Sequence, residues 1–419
     1  MADLHSHPVS KCLPNGFGQF PLLPREISLD LSSKQFNMIK RFIKTGIYYS
    51  LLLSLFSFSA IAQSEKAEAE IREMMKKHEV VGLSVAVVKK GKIIYTHSFG
   101  LKDINTKAPL ADSDIFRIAS ISKSFSATSI MQLIEAGKLS LNDDISDLVG
   151  FKVRNPKFPD QVITLKMMLS HTSSINDSQG YFTLDAINPA KNKDWEKCYN
   201  DYAPGAGYQY CNLNYNMVGT VIEKYSGERF DNYVKSHILN PLGLYGGYNV
   251  DSLDNSRFAT LHEYNAESKS FTTSPMAYNP RREEIRNYVM GYSTPIFSPT
   301  GGMKISATDL AKYLSMHMNM GKYNGKRIMS KKSAKIMQTK VAEEEGYGLA
   351  ITNRDDLIPG KLMKGHTGSA YGLYSAMFFQ PKEKFGIVVI TNGCNPTSSK
   401  GMNNVLRDGV NILFNNFIQ

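Results

Sequence analysis

Three short stretches of this chain hold side chains whose types and spacing suit acyl transfer. In "FRIASISKSFSA", Phe116 to Ala127, Ser120 and Lys123 stand three apart where helical spacing begins. Their side chains therefore share a face, and the N–H groups of the first turn point toward Ser120. A serine hydroxyl is a weak nucleophile until a base takes its proton, and burial lowers a lysine's pKa enough for it to do so. Two such common residues meet at this spacing about once by chance in a chain of this length, so an ordinary polar helix face is the competing reading.

In "PGAGYQYCNLNYNMVG", Tyr210 and Asn212 stand two apart ahead of an apolar helical run. A tyrosine beside a cationic lysine loses its proton more readily, and an asparagine offers donor and acceptor to an amide. Against this, the chain has 22 tyrosines, and a Tyr-rich core segment would look the same. In "KGHTGSAYG", His366, Thr367 and Gly368 come just before a strand at 373. A glycine there lets a substrate lie against the strand, and the N–H of Ser369 can pair with that of Ser120 to hold an oxyanion. A plain turn before a strand is the alternative. The order Ser-x-x-Lys, Tyr-x-Asn, His-Thr-Gly, at separations of about 90 and 150 residues, is what makes the three informative together.

Positioning these groups needs a scaffold. "SEKAEAEIREMMKKHEV" has helical spacing, with Ile71, Met74 and Met75 on one face. "LSVAVV" at 83–88, the turn "KKGK" and "KIIYTHSFG" predict a β-hairpin with glycine at the bend. A second hairpin is expected from "LYSAMFF" at 373–379, "QPKEK" and "FGIVVIT" at 385–391, followed by a terminal amphipathic helix. Between them the chain turns mostly helical. Ile130, Leu133 and Ile134 end at a C-capping Gly137, and "SATDLAKYLSMHM" at 306–318 opens with capping residues. Two distant hairpins that each need a partner can share one antiparallel sheet, which leaves the middle as an inserted subdomain at about 120–300. Residues 176–206 and the aromatic segment 247–300 lack periodicity and read as long loops that could line a site.

The segment from Met38, "MIKRFIKTGIYYSLLLSLFSFSAIAQ", has a basic start, an apolar run to Phe58 and an Ala60-Ile61-Ala62 cleavage signature. It is expected to be an export signal, 38–62, with cleavage after Ala62 and a periplasmic product. The serine-dotted run falls short of the ~20 residues needed to span a bilayer, so no stable anchor is expected after cleavage. Residues 1–37 read as an upstream extension without fixed structure, and 63–419 as the functional domain.

At 42% hydrophobic and 21% charged, the 419 residues describe a globular chain with ample core. The net charge of +11 is not gathered into a Lys/Arg block. Residues 1–62 carry six basic and three acidic side chains, leaving +8 for the rest. No nucleic-acid partner is expected. Neither C-x-x-C nor H-E-x-x-H spacing occurs, so neither metal nor cofactor is expected. Cys198 and Cys211 flank the turn "APGAG" and could pair in an oxidising compartment or remain thiols.

Taken together, the three motifs resemble those of the serine β-lactamase and penicillin-binding superfamily, in the branch holding class C β-lactamases, D-Ala-D-Ala carboxypeptidases and related esterases. "VVGLSVAVVKKGKIIYTHSFG", "MLSHTSSI" and "GGMKISATDLAKYL" add to the resemblance, which spans most of residues 70–415. It implies an α/β, β-lactamase-like fold: an antiparallel sheet built from both chain ends, flanking helices and a mostly helical insert. It implies Ser120 as acylated nucleophile, Lys123 as its proton partner and Tyr210 as base or relay. Asn212 would hold a substrate amide, His366 and Thr367 would contact a substrate carboxylate or leaving group, and Ser120 and Ser369 would form the oxyanion hole. Which of Lys123 and Tyr210 takes the first proton stays open.

Two departures bear on substrate. Class C β-lactamases usually carry Lys-Thr-Gly where this chain has His-Thr-Gly, so a permanent cation gives way to one expected to titrate near neutrality. "HTSS" also lacks the glycine usual after "HTS". The resemblance therefore implies a secreted serine hydrolase on a small-molecule or peptide substrate, an ester, peptide or β-lactam, with efficient penicillin hydrolysis disfavoured. Acyl transfer to a hydroxyl of a small acceptor, or D-Ala-D-Ala carboxypeptidase activity, are the alternatives. Transfer would need a water-excluding acceptor pocket, expected from segment 247–300.

Overall fold

The computed structural model describes Asn37, Met38, Arg41, Phe42 and residues 62–419. Nearly all of the extension at 1–37 and of the export segment lies outside the described residues. Residues Ala62–Gln419 form one compact unit, distinct from Met1–Ile61.

That unit opens with helix 62–77 (α1), which turns Ile71, Met74 and Met75 inward as their spacing predicts. Strands Gly82–Lys89 (β1) and Lys92–Asp103 (β2) form the first hairpin, with Gly91 at φ 78° in its bend. A short strand, Ala108–Pro109 (β3), follows. Helices Ser122–Glu135 (α2), Asn212–Ser226 (α3) and Ala307–Met318 (α4) come next. Strands Thr352–Ile358 (β4), Lys361–Ala370 (β5), Leu373–Gln380 (β6) and Phe385–Gly393 (β7), then helix Asn404–Phe417 (α5), complete the chain.

The seven strands make one antiparallel sheet in the order β4-β5-β6-β7-β1-β2-β3. The two terminal hairpins meet through the β1–β7 pairing, with Val85 opposite Val389. This is the expected β-lactamase-like architecture, with both chain ends in the sheet and a mostly helical insert between them.

Alternation along the strands sorts side chains to two faces. Leu83, Val85, Val87, Phe378, Ile387 and Val389 face α1 and α5. Ala86, Val88, Met377, Phe379, Val388 and Ile390 face α4 and the insert. α4 comes so close that a Cβ on Gly386 would stand 2.3 Å from Leu314 Cδ2.

α2 runs through the centre, buried on nearly every side. Its serines and threonine allow this because their hydroxyls find partners within the protein: Ser124 Oγ donates to the Ile121 carbonyl at 2.7 Å, Ser126 Oγ to that of Pro299 at 2.9 Å and Ser129 Oγ to that of Phe125 at 3.0 Å. Gly137, at φ 70°, closes its C-terminal end as expected. α4 is capped by Ser306, whose hydroxyl accepts from the Asp309 N–H. Segment 247–300 is more ordered than its lack of periodicity suggests. It holds a hairpin, His262–Asn265 with Ser270–Thr273, and a helical turn at Arg282–Arg286. These elements are too short to show periodicity.

Candidate active site

Ser120 lies in a 3₁₀ turn, Ala119–Ile121, that runs into α2. Ala119 adopts φ 47°, a conformation few non-glycine residues take, and so bends the chain sharply just before Ser120. The turn sits against β5, whose Gly368 has no side chain to intervene. A Cβ there would lie 2.2 Å from the Ile118 carbonyl oxygen and 2.5 Å from Ser375 Oγ. The glycine was expected to make room for substrate. Although Gly368 borders the cavity, its bare face makes room for the protein's own backbone and brings β5 alongside Ser120.

Lys123 is fully buried, and its Nζ is 3.1 Å from Ser120 Oγ, 2.9 Å from Asn212 Oδ1 and 3.0 Å from the Thr300 carbonyl oxygen. The Tyr210 and Tyr215 rings complete its surroundings, with centroids 4.7 and 5.6 Å from Nζ. Burial pulls its pKa down to about 7, against the upward pull of the Asp177 carboxylate. An amine so placed exists in both protonation states near neutral pH, as a proton shuttle requires.

Tyr210 behaves differently from expectation. Burial raises its pKa well above the ordinary phenol value, outweighing the lowering by interaction with Ser120. Lys123 lies over the face of its ring and does not lower that pKa, so Tyr210 stays protonated at neutral pH. His171 packs on the same ring at a centroid distance of 4.3 Å and accepts the Cys211 N–H through Nδ1.

Asn212 opens α3. Its Oδ1 accepts from Lys123 Nζ and, at 2.8 Å, from Thr300 Oγ1, while its Nδ2 donates to Asp177 at 2.9 Å. One Nδ2 hydrogen remains for a substrate amide, fewer than the full amide foreseen from sequence.

His366 also departs from expectation. It is 5% exposed, and its Nδ1 donates to the Thr367 carbonyl while its Nε2 accepts from Tyr347 O–H at 3.0 Å. Burial and the nearby Lys123 charge push its pKa down to about 4. The imidazole is therefore neutral at pH 7 and does not titrate there.

Ser120, Tyr210, Asn212, His366, Thr367, Gly368 and Ser369 border one cavity of about 900 Å³, with Lys123 directly behind Ser120. The structure thus gathers all eight sequence-derived residues at one place. The aromatic wall comes from Tyr181, Phe182, Tyr371 and Tyr374. Segment 247–300, expected to supply that wall, contributes only Ser298 and Thr300 to the lining because its rings pack elsewhere, as Tyr278 does on Phe258. Cys198 and Cys211 are separate buried thiols; Cys198 Sγ donates to the Ala186 carbonyl and Cys211 Sγ to Asp177.

Sequence reasoning missed Asp177. Its carboxylate accepts from Asn212 N–H at 2.8 Å, Leu213 N–H at 2.9 Å, Asn212 Nδ2 and Cys211 Sγ, and so caps α3 from a distant loop. No periodicity flags it; only its place just after "HTSSI" hints at it. Thr300 was missed for a similar reason. Arg117 stood in plain view, a cation between Phe116 and Ile118 in the same stretch as Ser120.

Residues 67–411 match the Beta-lactamase family. The chain belongs to that family, whose members are serine hydrolases and acyl-transferring enzymes. It is 24% identical over 339 residues to Protein flp from Staphylococcus aureus (strain N315), an alignment covering 77% of this chain and 61% of that protein. The chain thus spans about three fifths of that relative's length. The octameric penicillin-binding protein homologue from Pyrococcus abyssi has a similar structure, with a TM-score of 0.66, 27% identity, and coverage of 84% of this chain and 77% of the other. EstCE1, a hydrolase with promiscuous acyltransferase activity, shares the fold at a TM-score of 0.65 and 20% identity, over 84% of this chain and 99% of its own.

Proposed function

We propose that this chain is an exported serine hydrolase that forms a covalent acyl-enzyme at Ser120 with an ester or amide substrate. The observation that carries this reading is Lys123 Nζ, 3.1 Å from Ser120 Oγ, with burial holding its pKa at about 7. Neutral Lys123 accepts the Ser120 proton as Oγ bonds to the substrate carbonyl carbon. The N–H groups of Ser120 and Ser369 hold the oxyanion. As the carbonyl re-forms, the bond to the leaving group breaks, and that group takes the proton from the Lys123 ammonium through the Tyr210 hydroxyl. Water then attacks the acyl-enzyme and gives its proton to the same pair, which returns it to Ser120 Oγ as the acyl–oxygen bond breaks, releasing the acid and free Ser120. Of the two candidate first bases, Lys123 is favoured because Tyr210 holds its proton more tightly than an ordinary phenol.

His366, buried and neutral, leaves the third motif without the permanent cation that class C β-lactamases carry at that position, which supports ester and peptide substrates over β-lactams. A second reading, transfer of the acyl group to an alcohol, is supported by the cavity's size and aromatic wall, which leave space for an acceptor beside the acyl chain. D-Ala-D-Ala carboxypeptidase activity remains within the same mechanism.

A fluorophosphonate probe is expected to label the wild-type protein and not Ser120→Ala with the fold intact. Labelling that survives the substitution would place the nucleophile elsewhere. Supplying alcohols with a 4-nitrophenyl ester separates the two readings, since formation of free acid alone excludes transfer for those acceptors. Export is supported by segment 38–62, and recovery of the labelled protein from the periplasm with Gln63 at its N-terminus checks it.

A further inference from the structure

Arg117 ends the short strand Phe116–Arg117, three residues before Ser120, and lines the same cavity. It is 9% exposed. Its Nε donates to the Gly301 carbonyl at 2.9 Å, its Nη2 to Ser298 Oγ at 3.4 Å, and its guanidinium carbon lies 5.0 Å from the Tyr371 ring centroid. Among the described residues no carboxylate pairs with it. The ionisable groups that act on it include the tyrosines 371, 278 and 181, the cation Arg281 and Lys304, its partner in the strand pairing. Nη1 and the second hydrogen of Nη2 have no protein partner among the described residues, which leaves the end of the planar fork open.

A buried guanidinium without a counter-ion is costly, and hydrogen bonds to a carbonyl and a hydroxyl offset only part of that cost. Among the described residues, the rest of the cavity lining holds no Asp or Glu, and Arg117 is its only Lys or Arg, the His366 imidazole being neutral. The missing charge is therefore one that a ligand can bring. A carboxylate fits best, because its two oxygens can each take an N–H from Nη1 and Nη2 at the end of the fork, and Tyr371, Tyr181 and Phe182 offer an apolar surface to the body that carries it.

We propose that Arg117 is a carboxylate subsite within this cavity, a specificity-determining residue that makes acidic substrates with an apolar body the preferred class. The proposal deepens the hydrolase reading and rests on it for turnover, but not for binding. Binding is tested by NMR titration with 3-phenylpropanoate and with its uncharged isostere 3-phenylpropanamide. Wild type is expected to bind the carboxylate about 10- to 100-fold more tightly, the range for a charge-assisted hydrogen bond. In Arg117→Gln that ratio is expected to fall to about one, and in Arg117→Lys, which keeps the charge without the fork, to lie between. Equal affinities in wild type, or an undiminished ratio in a folded Arg117→Gln, overturn the proposal. Inorganic phosphate displacing 3-phenylpropanoate at equal concentration overturns the choice of a carboxylate. Should Arg117→Gln not fold, the wild-type ratio and the Lys variant still decide. For turnover, the kcat/KM ratio of 4-nitrophenyl hemiglutarate to 4-nitrophenyl pentanoate is expected to fall in Arg117→Gln mainly through KM. Turnover of neither ester with the binding preference intact would sink the Ser120 reading and leave this one standing.

Discussion

The two faces of the central sheet differ in the cations buried beside them. On the face covered by α1 and α5 the contact is apolar, and several charged groups at its margin have acidic partners. His78 Nε2 is 2.8 Å from Asp408, Lys77 Nζ 3.2 Å from the same carboxylate, and Asp356 lies between Arg354 and Arg407 at 2.9 Å from each. On the face toward the insert, Lys123, Arg117 and Lys304 are buried, and none has a carboxylate within ion-pair distance among the described residues. Lys304 makes do with the Tyr248 carbonyl at 2.7 Å. Apolar packing and paired charges serve stability, whereas a cation left without its acid is kept at a cost that stability alone does not explain.

The sharpest way to break this comparison is Lys123→Met. Loss of the base is expected to lower kcat/KM for an ester by about 10³-fold, while Tm holds or rises because an unpaired buried charge is removed. A large fall in Tm would make Lys123 a structural residue and erase the distinction. The mirror experiment is Leu413→Ala, fully buried between α5 and the sheet. It should cost about 3 kcal/mol of unfolding free energy and leave kcat/KM of the folded enzyme unchanged. Altered turnover at full folding would show that the outer face reaches the chemistry.

A smaller effect sharpens the same contrast. Asp177 raises the pKa of Lys123, so neutralising it in Asp177→Asn should make the ammonium less favourable. Wild-type activity is expected to rise with pH through about 7, as Lys123 loses its proton, and then level off. In the variant this acid limb should move to lower pH by up to about one unit. A limb that stays in place would confine Asp177 to capping α3.

The parts of the fold that could be read from sequence are those set by near neighbours in the chain. The strand alternation of "LSVAVV" and "FGIVVIT", the glycine in "KKGK" and the apolar face of Ile71, Met74 and Met75 all appear where expected. Segment 247–300 is not legible in this way, since its turns and two four-residue strands are shorter than any period that would announce them. At the site, the Ser120–Lys123 contact was legible because three residues on one helical face meet whatever the rest of the chain does.

What the sequence by itself determined is therefore the local order: which segments become strands, which become helices, and which serine and lysine share a face. What only the tertiary structure decided is the state of the groups so placed. Thr300 and Asn212 give Lys123 its acceptors, burial moves Lys123 toward neutrality while it keeps Tyr210 protonated and His366 uncharged, and Gly368 yields its empty face to Ile118. Arg117 is left facing the cavity with no acid paired to it among the described residues. Each of these depends on partners far apart in the chain and on the loss of water around a charge, and neither leaves a period in the sequence.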